Sequence, residues 1–183
     1  MGEEDNIKIT TPKDLKRSQE SVIRVGQGMD VHPFCQAQSG EGRKLILGGI
    51  EIPFSKGLQG HSDADVLTHA ICDSLLGAAG FSDIGTHFPD HDPQYKNILS
   101  LTLLEKVVDK IGAHGYTINN VDATVVAEAP KLQPMISEMK ICLAKVMKIS
   151  TFQIAIKATT TEKMGFVGRG EGIVAFAIST LKT

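Results

Sequence analysis

The order of apolar and polar residues along the chain predicts alternating strands and helices. Residues Val22 to Val31 alternate apolar with small or polar side chains, which is typical of a β-strand with one buried face. The stretch Leu45 to Ile52 is predicted to be the return strand of a hairpin, with a bulge or a close backbone approach at its paired glycines. Further strands are predicted over residues 121–127, 152–159 and 173–179.

Three segments carry apolar residues at helical spacing. The first follows Ser62, the predicted N-cap, with Asp65 completing a capping box, and ends at Gly77 to Gly80. The second is predicted from Leu99 to Ala113, and the third, with proline in its first turn, from Pro134 to Met147. Strands and helices alternate without a repeat or a linker, which predicts an α+β domain with one β-sheet covered by helices on one face.

Composition and charge exclude several classes of function. The chain has 183 residues, which fits one globular domain, and its net charge of −2 offers no basic excess for nucleic acid or an anionic membrane. It has no tryptophan and only two tyrosines, so a surface for stacking bases is not expected. We therefore expect neither a nucleic-acid nor a membrane partner.

The cysteines and the N-terminus bear on the compartment. Cys35, Cys72 and Cys142 are far apart and form no CxxC pair, which argues against a disulfide framework and favours a reducing compartment. The chain has no apolar run long enough to span a membrane, and residues 1–22 lack the apolar core of a secretory signal. The sequence predicts a polar N-terminal extension (1–22), a domain at 23–183 and a bacterial cytoplasmic location, with plastid stroma as the alternative.

Several Asp and His residues have spacings compatible with metal binding. Asp30 and His32 are two residues apart in a predicted strand, so their side chains share a face. Four-residue spacing predicts that three further side chains stack on one face of the first helix: His61, Asp65 and His69. Asp30, His32 and one of these histidines would leave a fourth position open, as catalytic zinc requires, with Asp65 or Asp73 holding a ligand histidine. Packed or solvated histidines explain the spacing equally well.

Other segments are compatible with phosphate binding. The segment ATTTEK (158–163) places three hydroxyls, a carboxylate and an ammonium at a strand end, where Glu162 would hold Mg²⁺. The glycine-rich segment around Arg169 matches neither a Walker loop nor a dinucleotide fingerprint, and a flexible hairpin end is the alternative. Segment 127–131 either binds the edge of a base through its backbone groups or merely forms a turn.

The acidic residues of the loop at 83–92 have two interpretations. Turn formation beside proline explains them better, taken alone, than recognition of hydroxyls or a second cation. Taken together, the Asp and His spacings and the segments compatible with phosphate binding predict a metal-dependent enzyme that acts on a phosphate or diphosphate ester.

Five motifs, in order, resemble one family: GxDVH, GHSDADVLxH, DIGxxFPDxD, NVDATVxAEAPK and KATTTEKxGFxGRGEG. The family is 2-C-methyl-D-erythritol 2,4-cyclodiphosphate synthase of the non-mevalonate isoprenoid pathway, and the resemblance covers about residues 23–182. It implies a homotrimer with active sites between subunits. It also implies a metal-dependent phosphorus–oxygen lyase that cyclises 4-diphosphocytidyl-2-C-methyl-D-erythritol 2-phosphate and releases CMP.

The resemblance also implies a role for each matching residue. The zinc ligands would be Asp30, His32 and His69. Glu162 would contact a Mg²⁺ or Mn²⁺ ion that bridges the substrate phosphates, and His61 and Thr160 would stabilise the transition state. The methylerythritol phosphate would contact Ser62, Asp83, Ile84, Gly85, Phe88, Pro89, Asp90, His91 and Asp92. The cytidine pocket would comprise Ala127, Glu128, Ala129, Pro130, Lys131, Leu132 and Gln133. The remaining substrate-binding residues would be Val31, Thr159, Thr161, Phe166 and Arg169, of which Phe166 and Arg169 would line the trimer axis.

The sequence departs from the family pattern at a few positions. Met29 stands where an aromatic residue is common, Ala64 replaces a usual glycine, and Glu128 stands where glutamine is frequent. Glu128 is expected to add negative charge near the cytidine phosphates. Two other functions remain open: a metal-dependent phosphohydrolase that uses water as nucleophile, and a non-catalytic trimeric sensor of nucleotides or isoprenoid diphosphates.

Overall fold

The computed structural model describes residues 22–35, 43–89, 92–95 and 98–183. Almost all of the predicted N-terminal extension lies outside these residues, as do residues 36–42. The strands are β1 (Ile23–Pro33), β2 (Leu45–Leu47), β3 (Ile50–Ile52), β4 (Thr117–Val126), β5 (Ile154–Thr159) and β6 (Gly172–Lys182). The helices are α1 (Val66–Ala79), α2 (Ile84–His87), α3 (Ser100–Ala113), α4 (Ile136–Met147) and α5 (Gly165–Gly168). Short 3₁₀ turns occupy Pro93–Tyr95, Gln133–Met135 and Thr151–Gln153.

One four-stranded mixed sheet, in the order β1-β6-β4-β5, organises the domain. The pairs β1–β6 and β6–β4 are antiparallel, and β4–β5 is parallel. Helix α1 packs on β1 and β6, α3 packs beside α1, and α4 covers β5. The predicted α+β architecture, with one sheet covered by helices on one face, is therefore confirmed. Among the described residues, no helix combines the length and apolar character that crossing a membrane requires.

The segment 45–52 differs from its prediction. It does not return along β1, which pairs with β6, but forms a small hairpin of its own from β2 and β3. Gly48 and Gly49 have φ values of 59° and 77°, so they form the turn and not a bulge. The physical reason is that a two-residue turn matching the strand twist needs positive φ at both positions, which glycine adopts without strain.

The start of the first helix also differs. Helix α1 begins at Val66 with Asp65 as its N-cap, so the predicted cap at Ser62 and the capping box are wrong. The fully buried Asp65 carboxylate accepts hydrogen bonds from the backbone of Thr68 and from the N–H groups of Gly48 and Gly49. One side chain therefore ties the helix start to the β2–β3 turn. The second helix is confirmed, and the third begins as a 3₁₀ turn at Gln133 before α4.

Helix α1 lies directly on the backbone of β1. Gly26 and Gly28 face the helix, and a Cβ on Gly28 would lie 2.0 Å from the carbonyl oxygen of Ala70. Because no side chain separates the two elements here, the residues that follow on the same face of β1, Asp30 and His32, are brought close to the first turn of α1.

No helix from the described part of the chain packs on the opposite face of the sheet. The large apolar side chains exposed there in the single chain include Val25, Met29, Val31, Phe176 and Ile178. A contiguous apolar surface of this kind is typical of an interface.

The close contact between α1 and β1 can be tested with two alanine substitutions. We expect Gly28→Ala to lower the free energy of unfolding by about 3 kcal/mol or more, because the new methyl would overlap the helix backbone. Gly77→Ala is the matched control: its Cβ would meet nothing closer than 3.7 Å. Removing a glycine from a helix interior should stabilise the protein by about 0.5–1 kcal/mol. Urea denaturation at equal protein concentration measures both, and equal stabilities for the two variants would contradict the packing described.

Candidate metal centre and substrate cleft

Asp30, His32 and His69 converge at the end of β1. The Nδ1 atom of His69 lies 2.9 Å, and the Nε2 atom of His32 3.0 Å, from the same oxygen of Asp30, Oδ2. One ligand atom of each residue lies within 4.8 Å of the others, and the three side chains are only 13–25 % exposed. The structure therefore brings together the three side chains expected as zinc ligands.

The orientation of His32 suits a metal. Its Nδ1 lies 2.7 Å from the carbonyl oxygen of Gln59, so Nδ1 carries the proton and donates it. Its Nε2 then presents a lone pair toward Asp30; this atom is buried and makes no hydrogen bond of good geometry. A buried nitrogen without a donor next to a carboxylate oxygen is the arrangement that a divalent cation would complete.

The electrostatics of the cluster favour a positive charge. Burial by itself would raise the pKa of Asp30, but the adjacent imidazoles of His32 and His69 outweigh it and hold that pKa well below its usual range. Burial would lower the pKa of His69, but Asp30 outweighs it and raises that pKa. The site therefore stabilises a cation between the carboxylate and the imidazoles, and a metal ion with two nitrogen ligands, one oxygen ligand and an open position fits it.

The predicted stripe of His61, Asp65 and His69 is wrong. Because α1 begins only at Val66, His61 lies before the helix, and Asp65 is committed to capping. Neither Asp65 nor Asp73 holds a ligand histidine: Asp73 instead accepts a hydrogen bond from the backbone of Ile84 at 2.7 Å. The second nitrogens of the ligand histidines contact the Gln59 carbonyl and, for His69, the hydroxyls of Ser100 and Ser62.

A cleft of about 200 Å³ opens beside the three ligands. Five residues expected at the substrate line it: His61, Ser62, Ile84, Gly85 and Phe88. Tyr95, Ile98 and Leu103 also line it, and sequence analysis did not single them out. The ring of Tyr95 packs edge-on to Phe88, with 5.4 Å between centroids, so part of the cleft wall is apolar.

In the acidic loop, Asp83 and Asp92 make the capping and turn hydrogen bonds that turn formation predicts. Asp83 caps α2 by accepting a hydrogen bond from the Thr86 N–H at 2.7 Å. The hydrogen bonds from Thr86 lower the pKa of Asp83. Asp92 accepts a bond from the N–H of Gln94, and Pro89 follows α2 half-buried. Asp90 and His91 lie outside the described residues.

The segment after β5 forms a second group of polar residues. Thr160 Oγ1 donates a hydrogen bond to Glu162 Oε1 at 2.8 Å, and Glu162 and Lys163 adopt positive φ values of 52° and 65°. Glu128 Oε1 accepts hydrogen bonds from the N–H groups of Thr161 and Lys163, both at 3.1 Å, and from the Thr161 hydroxyl. The bonds from the Lys163 and Thr161 backbone lower the pKa of Glu128. Glu128 therefore holds this loop in shape.

Within one chain, the Asp30–His32–His69 cluster is separated from the polar residues that follow β5. Asp30 pairs with Ala175, which pairs with Val125, which pairs with Ala158. Three steps between strands correspond to about 14 Å. None of the residues Thr159, Thr160, Thr161 and Glu162 lines the cleft beside the metal ligands.

The other expected substrate-binding residues lie outside the cleft. The segment 127–133 connects β4 to α4, and its first residue, Ala127, donates a hydrogen bond to the Thr159 carbonyl at 3.0 Å. It therefore adjoins the loop after β5. Phe166 is exposed on α5, and Arg169 makes two hydrogen bonds to Glu171 at 2.6 and 3.1 Å. Val31 is exposed on the uncovered face of the sheet.

The chain is similar to known proteins of one family. The YgbB family model matches residues 23–182. The 2-C-methyl-D-erythritol 2,4-cyclodiphosphate synthase of Desulfatibacillum aliphaticivorans is 56% identical over 160 residues, covering 87% of this chain and all of that protein.

Two solved structures show the same fold. A structure of a Plasmodium falciparum IspF in complex with CDP has 35% sequence identity and a TM-score of 0.76, and covers 90% of this chain and 98% of the other. The bifunctional IspDF of Campylobacter jejuni has 42% identity and a TM-score of 0.83, and covers 99% of this chain but 49% of that longer one. The chain therefore belongs to the YgbB family, the family of the 2-C-methyl-D-erythritol 2,4-cyclodiphosphate synthases.

Proposed function

We propose that this chain converts 4-diphosphocytidyl-2-C-methyl-D-erythritol 2-phosphate into 2-C-methyl-D-erythritol 2,4-cyclodiphosphate and CMP. An oxygen of the 2-phosphate attacks the β-phosphorus, the bond from that phosphorus to the bridging oxygen breaks, and the electron pair leaves with CMP. The observation that carries the proposal is the convergence of Asp30, His32 and His69 at a cleft of this family's fold. We place the enzyme in the bacterial cytoplasm, a proposal supported by its bacterial relatives.

The residues of the chain would position and neutralise a flexible polyanion. Zinc held by Asp30, His32 and His69, and Mg²⁺ or Mn²⁺ held by Glu162, would supply positive charge to the phosphates. His61 and Ser62 lie in the cleft beside the ligands, where they would contact phosphate oxygens. The nucleophile is a phosphate oxygen that is already deprotonated at neutral pH, so orientation and charge compensation suffice without a side-chain nucleophile.

The cleft walls suit the two ends of the substrate. Ile84, Gly85 and Phe88 would hold the methylerythritol portion, and the anchoring of this loop by Asp73 and Asp83 keeps it in place. The segment 127–133, together with the loop after β5, would bind the cytidine portion. The CDP complex of the Plasmodium falciparum relative supports a cytidine site.

The active site would lie between subunits of a homotrimer. Within one chain, Asp30 lies three strand spacings, about 14 Å, from Ala158, which precedes the loop that carries Thr160 and Glu162. A single phosphate group is too small to span that separation. A neighbouring chain that covers the exposed apolar sheet face would bring its own loop to the cleft. This supports one active site made from the metal ligands of one subunit and the Thr160–Glu162 loop of the next, with Phe166 and Arg169 near the trimer axis.

The reaction type can be tested by phosphorus NMR of the full chain with the cytidylyl substrate, Zn²⁺ and Mg²⁺. We expect free CMP together with two coupled signals of a cyclic diphosphate, since the nucleophile is internal. CMP with a linear bisphosphate would instead identify a hydrolase that uses water. A chain with metal bound that leaves the substrate unchanged for hours would contradict catalysis and favour the sensor.

The shared active site can be tested by complementation. His69→Ala removes a proposed zinc ligand, and Glu162→Ala removes the carboxylate proposed to hold Mg²⁺ or Mn²⁺. Each variant alone should therefore be inactive. Unfolding and refolding the two together gives mixed trimers in which about a quarter of the sites combine an intact ligand set with an intact loop. We expect about a quarter of wild-type activity from the mixture. The control is each variant refolded alone, and an inactive mixture of folded trimers would contradict a shared site.

A further inference from the structure

Ser100 occupies a position that neither the ligand set nor the substrate contacts explain. It is the first residue of α3 and is fully buried. Its hydroxyl oxygen lies 2.8 Å from Nε2 of His69 and forms a short hydrogen bond with Oδ1 of Asp63. The other carboxylate oxygen of Asp63 accepts a bond from the Ser100 N–H at 3.1 Å. Asp63 therefore accepts from both hydrogen-bond donors of Ser100 and holds its hydroxyl against the imidazole.

The direction of each hydrogen bond follows from counting protons. An ionised carboxylate can only accept, so the single hydroxyl proton of Ser100 is donated to Asp63. Toward His69 the same oxygen can then only accept, which requires the proton of the neutral imidazole to be on Nε2. Nδ1 is thereby left with a lone pair on the side of Asp30, 2.9 Å away.

Ser62 is a weaker second partner for the same nitrogen. Its hydroxyl lies 3.2 Å from Nε2 of His69 and accepts a bond from the N–H of Ala64. The contact of Ser100 with Nε2 is shorter, and its direction is fixed because the Ser100 hydroxyl donates its proton to Asp63.

We propose that Asp63 and Ser100 are positioning residues that hold His69 in the tautomer and orientation needed to bind the metal through Nδ1. This proposal rests on the metal centre of the proposed function. The arrangement is a carboxylate–histidine pair with one hydroxyl inserted between its members, and such outer contacts orient the ligand ring and strengthen metal binding. It also links the start of α3 to the metal centre, since Asp63 accepts from the first N–H of that helix.

The hydrogen-bonded chain Asp63–Ser100–His69, called the relay below, can be tested with three variants of the chain. Zinc affinity is measured by competition against a chromophoric chelator. We expect Ser100→Ala to weaken zinc binding by about 10- to 100-fold, because the Nε2–H of His69 loses its oriented acceptor. Asp63→Asn keeps the shape but has only one oxygen, so it cannot accept both bonds from Ser100; we expect a comparable loss. Ser74→Ala is the control: Ser74 is equally buried on α1, and its hydroxyl bonds to Ile71 and Ser179 instead. Its zinc affinity should stay within about twofold of wild type.

A spectroscopic readout separates positioning from general stability. In the zinc-loaded wild type, long-range ¹⁵N–¹H spectra of the histidine side chains should show His69 protonated at Nε2 and metal-bound at Nδ1. The opposite assignment would overturn the relay, as would a zinc affinity of folded Ser100→Ala equal to that of wild type and of Ser74→Ala. A wild-type chain that binds no zinc would overturn the proposed metal centre itself, and the relay with it, so the two failures are distinguishable.

Discussion

The candidate site depends on the direct contact of helix α1 with the backbone of β1. Gly26 and Gly28 leave no side chain between the two elements, and a Cβ at either position would lie within 2.1 Å of the helix backbone. Two residues further along the same face, Asp30 therefore reaches His69 at 2.9 Å. A larger residue at the glycines would move the helix outward and separate the ligands, although it would lie far from any reacting atom. Fold stability and ligand geometry are thus set by the same contact.

Anionic side chains fix the parts of the site that regular secondary structure does not. Asp65 ties the start of α1 to the β2–β3 turn, and Asp73 holds the backbone of Ile84 at the cleft wall. Glu128 holds the loop after β5, in which Glu162 and Lys163 have positive φ. Carboxylates are suited to this because each can accept several charge-assisted hydrogen bonds from backbone N–H groups. Several acidic residues therefore serve positioning, whereas Asp30 and Glu162 are the carboxylates that we propose for cation binding.

Periodicity predicted the parts of the structure that depend on local sequence. The helix at 100–113 and the four strands of the main sheet follow from apolar spacing, and the two-residue interval between Asp30 and His32 placed them on one face. The helix start was missed because Ser62 and Asp65 both suit an N-cap, and only the distant Gly48–Gly49 turn selects Asp65. Ser100 was missed for the same reason, since 31 residues separate it from His69. Glu128 was expected only to add negative charge near the cytidine phosphates. Its hydrogen bonds with Thr161 and Lys163 were not foreseen, because more than 30 residues separate these partners in sequence.

X-ray absorption at the zinc edge of the loaded full-length chain tests the central claim most directly, that β1 and α1 together build a metal site from two imidazoles and a carboxylate. We expect two imidazole nitrogens and one or two oxygens at about 2.0–2.2 Å, in four-coordinate geometry with one exchangeable position. Sulfur scattering at about 2.3 Å, or a six-coordinate shell of oxygen without imidazole, would contradict it.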